Sequence, residues 1–297
     1  MHDRKMKKIK ILIPIYNDWE SLQKLLNDIS EQIKNYNNFK FSILVVNDGS
    51  TEKPINRITL PKNIKEIKIL NIKLNQGHPR SFATGIKYIL QQDDFDYLIS
   101  MDGDGEDRPE EIKLFIDKIE KKNDISIVAK RVKRSEGILF KILYELHKIL
   151  TLLFTGKNMN FGNFSCLTKM DVKKISESAA LWNNFPSTVK QKLKSLDHIN
   201  CIRGTRYFGP SKMSLMKLII LSFSIISVFR LRVFLISSIY IILMFFLNKF
   251  LMISLFKPFL VTIILFNLVI LILSLRANKK ELDNCLTNIQ TIIKILH

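Results

Sequence analysis

The densest chemistry in the chain is the run Asp102-Gly103-Asp104-Gly105-Glu106-Asp107, directly after Met101. Carboxylates at alternate positions with glycines between them can wrap one hard cation, and oxygen ligands suit Mg²⁺ or Mn²⁺. Magnesium sites commonly combine one or two carboxylates with the phosphate oxygens of a substrate. A cation so held neutralises the charge that builds on a departing diphosphate. On spacing alone, two other readings stay open. The run shares D-x-D-x-x-D with part of a calcium loop, although it lacks the distal Glu and follows a strand rather than a helix. It also fits a solvated acidic turn.

The segments around this run alternate. Short apolar stretches at 10–15, 41–46, 67–74, 97–101 and 125–129 have the length and composition of buried strands. Helices are predicted over 19–33, where Leu22, Leu25, Leu26, Ile29 and Ile33 keep helical spacing, over 79–90 with Pro79 at its start, and over 109–119. Alternation of this kind predicts an α/β domain with a mostly parallel sheet and helices on both faces. Ligands of such sheets bind beyond the carboxyl ends of the strands. The clusters Tyr16-Asn17-Asp18, Asn47-Asp48 and 102–107 each follow a strand directly, so all three are expected at one edge.

Composition narrows the partners. The 297 residues carry 46 Lys+Arg against 27 Asp+Glu, a net charge of +19. That excess suits an anionic partner such as a phosphorylated substrate or an anionic lipid, and a Lys-, Ile- and Asn-rich genome gives the same excess. No nucleic-acid module signature is present, so nucleic acid is not an expected partner. The cysteines Cys166, Cys201 and Cys285 form no CxxC pair and no disulfide framework, which points to a reducing compartment. The apolar run near the N-terminus is too short for a signal peptide.

From 213 to 275 charge nearly disappears. Residues 233–247, extendable toward 253, and 259–275 are expected to form a two-span hairpin. Residues 215–229 are apolar but interrupted by Lys217, Ser222, Ser224 and Ser227, which favours a helix lying at the interface over a third span. Arg230 and Arg232 precede the hairpin and Arg276, Lys279 and Lys280 follow it, whereas the link holds Lys249 and Lys257. This bias places the flanks in the cytoplasm.

Five segments, in order, resemble one family. Ile13-Pro14-Ile15-Tyr16-Asn17-Asp18 resembles the P-x-Y-N-E motif of family 2 glycosyltransferases, with Asp18 for Glu. Val45-Val46-Asn47-Asp48-Gly49-Ser50 resembles D-D-G-S, with Asn47 for the first Asp. Asn75-Gln76-Gly77-His78-Pro79-Arg80 resembles N-x-G-H, and the acidic run through Pro109 resembles D-x-D-x-x-x-x-P. The stretch from Arg203 through Arg206 and Gly209 to Ser211 and Lys212 resembles the R-x-x-R-x-x-G-x-S-K segment of the dolichol-phosphate mannose synthase-like, polyprenyl-phosphate subgroup.

That resemblance implies a GT-A fold, a UDP- or GDP-sugar donor and Mg²⁺ or Mn²⁺. Pro14, Tyr16, Asn17, Asp18, Asp48, Gly49, Ser50, Gly77, Arg80 and Asp102 are its donor-site positions, with Asp48 bonding the base. Asp102, Asp104 and Arg131 are the catalytic positions, and Asp102, Asp104 and Glu106 the metal positions. It also implies a polyprenyl phosphate acceptor at the membrane, held by Arg203, Arg206, Ser211 and Lys212, since arginine forks match phosphate geometry. The implied organisation is a GT-A domain over 1–212, an interfacial helix over 213–230, a hairpin over 231–276 and a cytoplasmic tail over 277–297, integral to a bacterial inner membrane. A homo-oligomer is compatible with this layout. The pattern departs in one place: where relatives read D-x-G-D-F-R, this chain has Asn160, Asn163 and Ser165, which bears on acceptor and sugar choice. His78, a lone loop histidine, reads as structural. A family 2 enzyme acting on a glycan or lipid-linked saccharide, and a non-catalytic scaffold or flippase partner, are the competing readings.

Overall fold

A computed structural model of the chain describes residues 6–54, 56–133, 138–210, 214–251 and 255–296. Ser211 and Lys212, expected at the acceptor site, lie outside the described residues. The strands are β1 (Lys7–Ile15), β2 (Phe39–Asn47), β3 (Glu66–Ile72), β4 (Tyr97–Ser100), β5 (Ile127–Lys133), β6 (Phe161–Thr168), β7 (Asp197–Ile202) and β8 (Ile289–Leu296). The helices are α1 (Trp19–Ile33), α2 (His78–Gln92), α3 (Ile112–Lys121), α4 (Ile138–Thr155), α5 (Lys169–Ser176), α6 (Phe185–Lys192), α7 (Leu215–Ser227), α8 (Arg230–Leu251), α9 (Phe256–Ser274) and α10 (Lys279–Asp283). They divide into two compact units. The first comprises Met1–Ser135, Phe161–Ser211 and Lys279–His297; the second comprises Glu136–Asn160 and Lys212–Asn278.

The first unit is built on one eight-stranded sheet in the order β7-β5-β6-β4-β1-β2-β3-β8. Successive residues of a strand face opposite sides, and β1 uses both. Ile9, Ile11, Ile13 and Ile15 join Leu22, Leu25 and Leu26 of α1 and Phe115 and Ile116 of α3 in one core. Leu12 faces the other way, against α2, where a Cβ on Gly85 would come within 2.4 Å of its Cδ1. Both faces are therefore covered, which is why the central strands read as continuous apolar runs.

A buried ion cluster of Lys10, Asp93 and Lys68 interrupts the α2 side. Lys10 Nζ lies 3.2 Å from Asp93 Oδ2, with side chains only 3% and 7% exposed. Burial pulls the Lys10 ammonium below its ordinary value, and the Asp93 carboxylate opposes that shift. Removing one partner strands the other charge, so Asp93→Ala is expected to lower stability by about 3–5 kcal/mol. Thermal unfolding in detergent reads this directly; an unchanged midpoint would contradict it.

The register brings the site loops together. Ile15 of β1 pairs with Asn47 of β2, and Leu12 pairs with Ser100 of β4, all in parallel. Strand β6 runs antiparallel to β4, with Ser165 opposite Ser100, so its first residues start at the same edge. Strand β5 is antiparallel to β6 and parallel to β7, so β7 also ends there. Residues 16–18, 48–50, 102–107, 161–163 and 203–207 thus share one edge.

The expected tail is structured. After α9 the chain forms α10, a short 3-10 turn (Cys285–Asn288) and β8, which pairs antiparallel with β3 at the sheet margin. The strand predicted over 67–74 ends at Ile72, and the helix predicted over 109–119 opens as a 3-10 turn before α3.

The second unit holds α4 and α7–α9. Among the described residues α8 and α9 lie in the two helical stretches long and apolar enough to cross a membrane, and Leu215–Ser227 is a shorter apolar helix. Phe154, Ile226, Val233, Ile263 and Ile270 form its core. Helix α4, absent from the sequence reading, is inside-out. His147, Thr151, Phe154 and Thr155 are buried, whereas Ile142, Leu146, Ile149, Leu152 and Leu153 are exposed. Thr151 and Thr155 satisfy their hydroxyls on the carbonyls four residues back. Exposed leucines and isoleucines at helical spacing over a partly polar buried face suit a nonaqueous surround.

Candidate active site

Asn17 sits at the end of β1 with φ 52°, a left-handed conformation that asparagine tolerates. It ties the first two loops together: its N–H donates to Ser50 Oγ at 2.9 Å, its Nδ2 to Thr51 Oγ1 at 2.9 Å, and its Oδ1 accepts from Glu52 N at 3.1 Å. Pro14 is buried inside β1, and Tyr16 is half-buried beside it. Asn47, at the first Asp of the motif it resembles, donates from Nδ2 to Asn71 Oδ1 at 2.8 Å, and Asn71 donates to Thr291 Oγ1 of β8 at 2.9 Å. A carboxylate has no hydrogen to give Asn71. The amide at 47 thus belongs to a chain of hydrogen bonds crossing β2, β3 and β8.

Asp48 holds a loop. Its Oδ1 accepts from Gln76 N and its Oδ2 from Gly77 N, both at 2.9 Å, and the residue is 3% exposed. Besides the base contact that the resemblance implies for it, Asp48 braces the β3–α2 connection with both oxygens. Gly49 makes the close approach possible: at φ +65° a Cβ there would lie 2.5 Å from Asn75 N. Arg80 turns toward the C-terminal segment, with its guanidinium 5.2 Å over the Trp182 ring and 3.4 Å from Glu281 Oε2. These side chains line a cavity of ≈ 530 Å³ together with Gln76, Lys280 and Asn284.

The acidic run is arranged by its neighbours. Asp102 Oδ1 meets both His78 Nε2 and Asn163 Nδ2 at 3.0 Å. Asp102 N donates to Asp107 Oδ2 at 3.0 Å, and Arg131 approaches Asp107 Oδ1 at 3.5 Å. Arg131, a catalytic position by the resemblance, thus lies against the carboxylate that braces the Asp102 backbone. Burial opposes ionisation of Asp102, but the charge and hydrogen bond of His78, with Arg131 and Arg203, hold its carboxyl well below the usual range. Burial and the Asp102 charge push Asp107 up to about 7. Burial likewise raises Asp104 and Glu106.

The segment after β7 closes over the run. Arg206 donates to Asp104 Oδ2 at 2.8 Å and to Asp18 Oδ1 at 2.5 Å, and Arg203 pairs with Glu106. Asp18, Asp104, Glu106, Arg203 and Arg206 are thus in one place. His78, read as structural, Asn163, read as a departure from the family pattern, and Asp107 of the acidic run join the site; only the β4–β6 register brings 163 beside 102.

No three His, Cys, Asp or Glu side chains among the described residues form a ready metal cage. The expected trio Asp102, Asp104 and Glu106 is therefore not a preformed site: Asp102 is turned to His78 and Asn163, and the other two face arginines. The donor set does fit a cation that takes one or two carboxylates and completes its shell from substrate phosphates. Asp104, on a loop with Gly105 at φ 86°, supplies one such carboxylate.

A mixed, mostly parallel sheet with an acidic loop after its fourth strand is the GT-A architecture of glycosyltransferases. A family model described as Glycosyl transferase family 2 matches residues 10–184, and the chain belongs to that family. Among curated proteins it is similar to the undecaprenyl-phosphate 4-deoxy-4-formamido-L-arabinose transferase of Yersinia enterocolitica, with 28% identity over 227 residues, 75% of this chain and 68% of that protein. The transferase of the same description from Photorhabdus laumondii is 26% identical over 231 residues, 76% of this chain and 69% of that protein. Among solved structures, glucosyl-3-phosphoglycerate synthase from Mycobacterium tuberculosis with Mn²⁺, UDP-glucose and phosphoglyceric acid shares the fold. Its TM-score is 0.55 at 12% identity, over 76% of this chain and 80% of that one. The protein is a glycosyltransferase.

Proposed function

We propose that the enzyme transfers one sugar from a UDP- or GDP-sugar to a polyprenyl phosphate at the cytoplasmic face of a membrane, with inversion. The observation that carries this reading is the pairing of Arg206 with Asp104 and Arg203 with Glu106. It sets two phosphate-binding forks directly on the acidic loop. The relatives named for undecaprenyl-phosphate support the acceptor class.

The chemistry suits this site. A phosphate oxygen of the acceptor attacks the anomeric carbon, and the bond from that carbon to the diphosphate oxygen breaks. Charge is conserved without any proton transfer, so no general base is required. That agrees with Asn163, an amide that cannot take a proton, standing beside Asp102. Arg203 and Arg206, with Ser211 and Lys212 next in the chain, bind the acceptor phosphate against the repulsion of the donor. A Mg²⁺ or Mn²⁺ held by Asp104, when bound, would neutralise the leaving diphosphate. Asn17, Ser50 and Asp48 shape the donor pocket by fixing its loops.

The membrane reading rests on chain connectivity as well as on hydropathy. The chain leaves the sheet-bearing unit before α7 and returns to it in α10 and β8. A segment that leaves and re-enters one folded unit crosses a bilayer an even number of times. Two spans, α8 and α9, with α4 and α7 at the interface meet that condition. The native thiols are buried, and burial raises Cys201 to about 12, so they are poorly reactive. A new thiol at Ile149→Cys on α4 should then stay protected from a water-soluble maleimide in proteoliposomes, while one at Met170→Cys, 82% exposed on α5, reacts. Equal labelling of both would remove α4 from the interface.

The full reaction is tested with the purified chain in detergent, a panel of UDP- and GDP-sugars, polyprenyl phosphate and Mg²⁺ or Mn²⁺. Release of nucleoside diphosphate that needs the lipid and stops with chelator is expected. Release indifferent to the lipid phosphate would point to a glycan or saccharide acceptor instead.

A further inference from the structure

The segment that carries the two arginines is laid along the acidic loop as a strap. Gly204 N donates to Glu106 O at 2.8 Å, and Tyr207 N donates to Asp104 O at 3.0 Å. The Tyr207 ring packs on Gly105 so closely that a Cβ there would lie 2.7 Å from it. Tyr207 Oη donates to Asp28 Oδ2 of α1 at 2.7 Å, and Lys24 Nζ lies 4.6 Å over the ring. The strap is thus fastened both to the loop and to α1.

Within the strap, Arg206 bridges two carboxylates from different loops, Asp104 at 2.8 Å and Asp18 at 2.5 Å. Its side chain is 13% exposed, and its Nε is buried with no hydrogen-bond partner among the described residues. A guanidinium with two N–H groups spent on carboxylates and a third one waiting is incompletely satisfied where it stands. Four carboxylates at residues 18, 102, 104 and 106 also repel one another unless cations stand among them.

We propose that Arg206 is a resident counter-cation, holding Asp104 and Asp18 until a divalent metal takes Asp104, and then turning its fork, including the spare Nε–H, to a substrate phosphate. This rests on the assignment of Asp104 as a metal ligand made above. A divalent cation at Asp104 Oδ2 repels the guanidinium that now lies 2.8 Å from that oxygen, so metal entry loosens the very group that an incoming phosphate needs. Metal binding and phosphate capture thereby favour each other, and the coupling is reciprocal. Before phosphate arrives Arg206 is a positioning residue, acting through the carboxylates it holds.

The test titrates Mn²⁺ alone into the full chain in detergent and follows the electron paramagnetic resonance signal of free Mn²⁺. Arg206→Gln removes the competing charge and should bind Mn²⁺ about tenfold tighter, within the usual range of coupling between sites. Damage to a merely structural residue would weaken binding. Arg206→Lys, which keeps the charge but loses the fork, should fall between the two. Mn²⁺ affinity in Arg206→Gln equal to or below wild type overturns the proposal and leaves the transfer reading standing. If Arg206→Gln does not fold, Tyr207→Phe decides: unfastening the strap should tighten Mn²⁺ binding, and no tightening overturns the idea. Failure of every protein to bind Mn²⁺, even with UDP present, removes Asp104 as a ligand and the counter-cation role with it.

Discussion

Asp104→Asn should reduce sugar transfer by about a thousandfold while leaving the protein folded. Oδ1 of Asp104 accepts from Glu106 N at 3.0 Å, and an asparagine oxygen keeps that bond. What the amide lacks is charge. With it go the preferred ligand for a divalent cation and the partner of Arg206. Loss of one preorganised group that stabilises developing charge costs about 10²–10³ in rate, and loss of a metal's contribution adds to that. Turnover of the purified variant, with its thermal midpoint as a control for folding, checks the claim. Activity within tenfold of wild type would remove Asp104 from the centre of the mechanism.

The second large effect is expected at Asp48, through structure rather than charge. Asp48→Ala leaves the N–H groups of the half-buried Gln76 and Gly77 without their carboxylate. A fully buried orphan costs about 1–3 kcal/mol and a half-buried one less, so stability should fall by roughly 1–3 kcal/mol in all. The loop it releases leads straight into His78, which touches Asp102. A misplacement of about 1 Å near a reacting centre can cost about a hundredfold. Transfer should therefore drop by about that factor, together with the thermal midpoint. A normal midpoint with a raised KM for the donor alone would instead give Asp48 the base contact as its main role.

What the sequence shows of this fold is what is local. The alternating apolar runs and the polar clusters after them reveal the sheet, its direction and the edge that carries the site. Strand β8 is hidden because its partner, β3, lies some 220 residues away, as in the Asn71–Thr291 bond. Nothing in eight residues announces such a partner. Asn47 reads as a lost acid until β8 is in place, whereupon the amide proves necessary to the Asn47–Asn71–Thr291 chain. Asn163 reads the same way until the β4–β6 register sets its Nδ2 against Asp102. Ser165, at the Arg of the motif it resembles, is fully buried against Ser100, with the two hydroxyls 2.9 Å apart. An arginine has no room there. Helix α4 escaped attention because its apolar residues face outward, reversing the pattern by which a helix of a water-soluble protein is read.

The acceptor is the central claim, and the identity of the lipid product tests it most directly. After incubation with donor, metal and polyprenyl phosphate, the lipid fraction is extracted and its phosphorus read by nuclear magnetic resonance and mass spectrometry. The expected product is a phosphodiester: one phosphate joining the lipid to one sugar, formed in step with nucleoside diphosphate release. Nucleoside diphosphate released with the lipid phosphate left a monoester would contradict this, and would place the sugar on some other nucleophile.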